Sequence, residues 1–174
     1  DLVAQYEEIK PEMDAAIQRV VSSGYFILGP EVKAVVEEVA AYLGVDYGIG
    51  VASGTDALLL ALRALAIGPD DEVILPAYSF FATVGVILHV GANPVFVDVD
   101  AQDYCIDTAQ TRAAVTEKTK AIIPVHLYGQ SADMDAINEI AKENNLSVIE
   151  DNAQAFGAEY KSRKTGAMGN IGCL

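Results

Sequence analysis

The chain has 174 residues with 25 acidic against 11 basic side chains, a net charge of −14 whose sign argues against a protein that tracks a phosphate backbone. Hydrophobic residues make up 52% of it and mean hydropathy is +0.27, rich enough for a sheet covered on both faces or for a large subunit interface, yet no apolar run reaches the roughly 18 residues of a membrane helix. Cys105, Cys173 and two histidines offer no zinc spacing, and no signal peptide opens the chain, so a cytoplasmic protein with reduced thiols is expected.

Ile9, Met13, Ile17, Val20 and Val21 fall at helical spacing and predict a helix closing near Gly24. Val32, Val35, Val36, Val39, Tyr42 and Leu43 predict a second, closing at Gly44. Between them Gly24–Pro30 reads as a loop that exposes aromatic side chains. Residues 1–46 are therefore assigned to an N-terminal helical segment, and 47–174 to a larger domain. There the rhythm becomes strand, helix, strand: strands at 48–52, 72–75, 95–98, 120–125 and 147–150, helices at 55–66, 80–91, 109–115 and 133–144. Helix 55–66 is apolar almost all round and is expected to be buried, and residues 170–174 begin a further strand. This alternation predicts an α/β fold, a mainly parallel sheet with right-handed crossovers flanked by helices.

Ligands of such sheets gather beyond the carboxyl ends of the strands. Ser53-Gly54-Thr55-Asp56 follows the first predicted strand and opens a helix, where unpaired N–H groups can bind a phosphate; an ordinary N-cap uses the same residues. Gly48-x-Gly50-x-x-x-Gly54 imitates a dinucleotide fingerprint, but its first two glycines lie inside the predicted strand instead of the turn. After the second strand, Phe80 can stack on a flat cofactor ring, while Phe81 is expected in the core. Asp98 and Asp100 read as a solvated turn in preference to a metal pair. His126, in Pro124-Val125-His126-Leu127-Tyr128-Gly129, sits at the same edge and is expected to line the pocket. Asp151 ends the last strand: a carboxylate there can keep a pyridine nitrogen protonated, and Gln154 can meet a ring hydroxyl. Each motif alone is compatible with a cap or a turn. Together they describe the phosphate end and the ring end of pyridoxal phosphate.

These residues carry a family resemblance through nearly the whole chain. Phe26-Ile27-Leu28-Gly29-Pro30, Ala52-Ser53-Gly54-Thr55-Asp56-Ala57-Leu58, Pro94-Val95-Phe96-Val97-Asp98-Val99-Asp100, His126-Leu127-Tyr128-Gly129-Gln130 and Glu150-Asp151-Asn152-Ala153-Gln154-Ala155 together resemble the DegT/DnrJ/EryC1/StrS sugar aminotransferases. The resemblance implies the large domain of a fold-type-I pyridoxal-phosphate enzyme. Gly54 and Thr55, with Ser53, would hold the phosphate, Phe80 would stack on the ring, Asp151 would pair with its nitrogen and Gln154 would meet its hydroxyl. It also implies amino transfer from glutamate to a keto sugar on a nucleotide, in a homodimer. The family's Schiff-base lysine would follow a few residues beyond Leu174, since Lys161 and Lys164 do not match its motif. A chain of this extent would then be the amino-terminal part of the large domain and inactive alone. Two other expectations compete: a sugar dehydratase of the same family with histidine in place of that lysine, and a non-catalytic module that keeps the fold.

Overall fold

In the computed structural model, which describes residues 1–174, α1 (Leu2–Ser23) begins where the Asp1 carboxylate accepts the N–H groups of Val3 (2.9 Å) and Ala4 (3.3 Å). It ends at Gly24, whose φ of 71° is the left-handed conformation that terminates helices. α2 (Pro30–Leu43) starts with proline at its first position and stops at Gly44. Arg19 on α1 reaches Glu31 on α2 at 2.7 Å. Both predicted helices are present, and Tyr25, Phe26, Ile27 and Leu28 are exposed as their loop position suggested. These elements form one compact unit, Asp1–Gly50; the other spans Val51–Leu174.

The second unit is a layered α/β structure. Its elements are α3 (Gly54–Ala64), β1 (Glu72–Pro76), α4 (Phe81–His89), β2 (Asn93–Val97), α5 (Thr108–Ala114), β3 (Thr119–Ile122), α6 (Met134–Asn144), β4 (Ser147–Asp151), the hairpin strands β5 (Glu159–Tyr160) and β6 (Arg163–Lys164), and β7 (Ile171–Cys173). Five strands pair in the order β2-β1-β3-β4-β7, every pair parallel. Strand alternation sorts the apolar side chains onto two faces. Val73, Leu75, Ala121, Ile123 and Ile149 join Leu58 and Leu62 of α3 and Val86 and Ile87 of α4. Ile74, Ile122 and Val148 join Met134, Ile137, Ile140 and Ala141 of α6. A sheet buried on both faces accounts for the high apolar content of this unit.

Two expectations fail here. Residues 48–52 form no strand: their apolar alternation is real, but a strand is defined by its ladder, and no segment pairs with them. Helix α3 is not buried all round either. Leu58, Ala61 and Leu62 face the core, whereas Leu60 is exposed.

Candidate functional site

The chain enters the sheet at β1, moves to β2 on one side, then crosses to β3 and β4 on the other. The reversal falls at the carboxyl ends of β1 and β3, the usual ligand position in open parallel sheets. There the hydroxyls of Tyr78, after β1, and Tyr128, after β3, meet at 3.2 Å.

Asp151, the last residue of the neighbouring β4, is held by its backbone. Its N–H donates to the Pro124 carbonyl (2.9 Å), and its carbonyl accepts the His126 N–H (3.1 Å). The side chain is buried and accepts from Thr83 Oγ1 at 2.9 Å and from the Ala153 N–H at 3.4 Å. Because Thr83 spends its proton on Asp151, Ser79 Oγ, 2.8 Å away, must donate to Thr83. Burial pushes the Asp151 carboxyl above its ordinary value, against the opposing pull of the Thr83 hydroxyl and the Ala153 N–H. Its two hydrogen-bond donors are uncharged, so a protonated ring nitrogen would supply a positive charge that they do not.

Thr83 also locates Phe80. Its N–H bonds the Phe80 carbonyl (3.1 Å), so the residue opening α4 lies within one helical turn of Asp151's partner. Phe80 is 70% exposed, available as a stacking surface. The N-terminus of α3 approaches the same segment: a Cβ added to Gly54 would lie 3.9 Å from the Ala153 side chain and 3.4 Å from the Leu174 carbonyl oxygen. Thr55 is exposed beside it. Ser53 caps the helix by accepting the Asp56 N–H (3.1 Å), and its hydroxyl donates to the Asp56 carboxylate (3.1 Å). Gln154 accepts the Tyr128 N–H at 3.0 Å. That contact holds a tyrosine in the left-handed region at φ 54°.

Residue-by-residue reading missed Glu150. It is fully buried and accepts four donors: His126 Nε2 (2.9 Å) and the N–H groups of Gly166 (2.8 Å), Met168 (2.6 Å) and Gly169 (2.5 Å). Burial pushes its carboxyl up, but His126 and the three N–H groups outweigh it and hold the group below its ordinary value. His126 Nδ1 accepts the Ala132 N–H (3.2 Å), which assigns the ring proton to Nε2. A carboxylate with no exposed surface is costly unless its lone pairs are filled, and here they are.

Some expectations require correction. His126 is fully buried and lines no open pocket; the Glu150 hydrogen bond draws it inside. Phe81 is 71% exposed, because at the first position of α4 it lies outside the face that carries Val86 and Ile87 into the core. Asp98 and Asp100 do form a turn, accepting the N–H groups of Val99 (2.8 Å) and Gln102 (2.7 Å). Lys161 and Lys164 lie on the β5–β6 turn and its strand and pair with Asp135 (2.6 Å) and Glu159 (3.5 Å). A cleft of about 540 Å³ near Val115, Thr119 and Asn145 opens at the amino end of β3, the edge opposite to Asp151.

The family model of the DegT/DnrJ/EryC1/StrS aminotransferase family matches residues 7–174, and the chain belongs to this family. Its aminotransferases use pyridoxal phosphate. Among curated relatives, a "pleiotropic regulatory protein" of Geobacillus stearothermophilus is 54% identical over 97% of this chain and 45% of its own length. The UDP-N-acetyl-3-dehydro-alpha-D-glucosamine 3-aminotransferase of Acidithiobacillus ferrooxidans is 51% identical over 100% of this chain and 47% of its own. The chain thus spans about half the length of the curated relatives it matches. Streptomyces venezuelae DesV, solved in complex with a ketimine intermediate, superposes with a TM-score of 0.93 at 48% identity, covering 96% of this chain and 45% of that one.

Proposed function

We propose that this chain forms the cofactor-holding core of a nucleotide-sugar aminotransferase that works as a homodimer and takes its amino group from glutamate. The observation that carries the reading is the buried Asp151 carboxylate, whose side-chain donors are neutral, at the carboxyl end of β4. The residues present fit pyridoxal phosphate. Asp151 would hold a proton on the ring nitrogen, Gln154 would orient the ring through its hydroxyl, and Phe80 would cover one face and exclude water. The N–H groups of Gly54 and Thr55, unpaired at the start of α3, would bind the phosphate with the Thr55 hydroxyl, helped by the helix dipole. Ser53 would join them by exchanging its Asp56 acceptor for a phosphate oxygen. The bound cofactor supplies an electron sink for amino transfer. What this chain adds is a carboxylate held in place by the Thr83 hydroxyl and the Ala153 N–H, on the electrostatic principle that a preorganised group acts without reorienting. The relatives' names support a sugar-nucleotide acceptor, and several are transaminases of dTDP- or UDP-linked sugars.

The test is Asp151→Ala in the protein at its natural length, assayed for amino transfer from glutamate to a UDP- or dTDP-linked keto sugar. Loss of about 100- to 1,000-fold is expected, the scale of removing one preorganised electrostatic group. Activity within a few-fold of wild type would overturn the role of Asp151.

A further inference from the structure

Glu150 has no assigned task within its motif, yet its contacts reach both ends of the candidate site. On one side it holds the His126 ring, whose residue donates its backbone N–H to the Asp151 carbonyl at 3.1 Å. On the other it gathers the N–H groups of Gly166, Met168 and Gly169. That gathered loop is packed hard against the strand it leads into: a Cβ at Gly172 would fall 2.0 Å from the Gly166 carbonyl oxygen. The loop runs into β7, which pairs with Ile149, Glu150 and Asp151 and ends beside Leu174. The Leu174 carbonyl is the atom nearest to where a Gly54 side chain would be, at 3.4 Å. One carboxylate therefore anchors the segment behind the ring end and the segment behind the phosphate end.

We propose that Glu150 is a positioning residue for the cofactor site, fixing Asp151 through His126 and the α3 N-terminus through the 166–174 segment. This rests on the reading of Asp151 and Gly54 as cofactor groups. The geometry demands a carboxylate. Oε1 accepts from Met168 and Gly169, and Oε2 from His126 and Gly166. Glutamine has only one such oxygen, so its NH₂ group would face two donors and one pair of contacts must break. A residue that served folding alone would lower the melting temperature and leave cofactor binding by the folded molecules unchanged.

The experiment measures binding of pyridoxal phosphate and of phosphate-free pyridoxal to Glu150→Gln and His126→Gln, in the natural-length protein, with amide hydrogen exchange at residues 166–169. For E150Q, folded by circular dichroism, the expected results are faster exchange at 166–169 and a Kd for pyridoxal phosphate raised at least about tenfold, the scale of one lost charge-assisted contact. Pyridoxal binding should weaken less, because the phosphate contribution is lost only by the first ligand. H126Q keeps the three N–H contacts, so exchange should stay slow while both ligands weaken by the same factor. Wild-type Kd values and exchange in folded E150Q would overturn the proposal. If E150Q does not fold, wild-type Kd values in H126Q would overturn it. Either result leaves the Asp151 assignment standing, since that falls only to an active Asp151→Ala enzyme.

Discussion

The two units of this chain bury their apolar residues very differently. In Val51–Leu174 the strands are packed on both faces, and Leu62, Ile74, Ile122 and Ile149 have essentially no exposed surface. In Asp1–Gly50, α1 buries no residue and α2 buries only Leu43, although both helices carry the same regular apolar spacing. Periodicity predicts that a face exists; it does not say what covers it. Within the second unit the cover is intrinsic, because the crossovers from β1 to β2, β2 to β3 and β3 to β4 each return a helix to the sheet it came from.

The largest effect expected from this contrast is at Leu62. It is 0% exposed among Val73, Leu75, Ile87 and Ile149. Leu62→Ala should cost about 2–5 kcal/mol, the range for a truncated buried leucine, read as a lower urea midpoint with an unchanged slope. A cost below about 1 kcal/mol, normal for surface positions, would mean that the core of this unit repacks freely.

The same contrast decides how much was legible in the sequence. Met134, Ile137, Ile140 and Ala141 repeat at helical spacing, and all four are buried on α6. Asp133 before them caps that helix through the Ala136 N–H. Local rules suffice where an element's partner follows from the topology. They fail at 48–52, where alternation suggested a strand but pairing decides. In the candidate site, the reading from strand ends singled out Asp151, Gly54, Phe80 and Gln154, which the fold links through Thr83, Ala153 and Tyr128. It passed over Glu150 because the penultimate residue of a strand gives no local sign of what lies beneath it. Its donors come from 16 to 24 residues away in sequence, on both sides. Thr83 was missed for a similar reason: its bond to Asp151 spans 68 positions.

Next in size is an acid-dependent loss of stability centred on Glu150. Its folded-state pKa lies below the ordinary 4.5, so its ionised form contributes stability fully present above pH 4.5 and lost as pH falls through the folded value. Asp151 acts with the opposite sign. Raised above 3.8, it contributes stability that is complete below that pH and declines as pH rises through its folded value. Glu150→Gln should therefore flatten the acid limb of the stability curve, and Asp151→Asn should leave that limb in place. In the first unit Asp14 and Glu31 are also held below their ordinary values, by Lys10 with Tyr6 and by Arg19, but these contacts are exposed. Salt screens exposed pairs and hardly reaches buried ones. Stability measured against pH at low and high salt separates the two: the part due to Glu150 should survive salt. An acid limb abolished by salt would assign the effect to the surface.

The smallest effect expected is at Ile17 on α1, which is 56% exposed despite lying on the apolar stripe. In this chain by itself, Ile17→Ala removes little buried surface and replaces a β-branched residue by the best helix former. A change within about 0.5 kcal/mol in either direction is expected, the range for surface substitutions. The natural-length protein at concentrations where it self-associates makes the sharper measurement. If the α1 stripe is a subunit contact, as the proposed homodimer suggests, the same substitution should lower the melting temperature and shift to higher protein concentration the range in which association stabilises the fold, because stability gained by association follows mass action. A substitution silent in both settings would take Ile17 out of a subunit contact. A loss of about 2 kcal/mol or more in the isolated chain would instead show that the stripe is already covered in solution, and the difference between the two units would be one of degree.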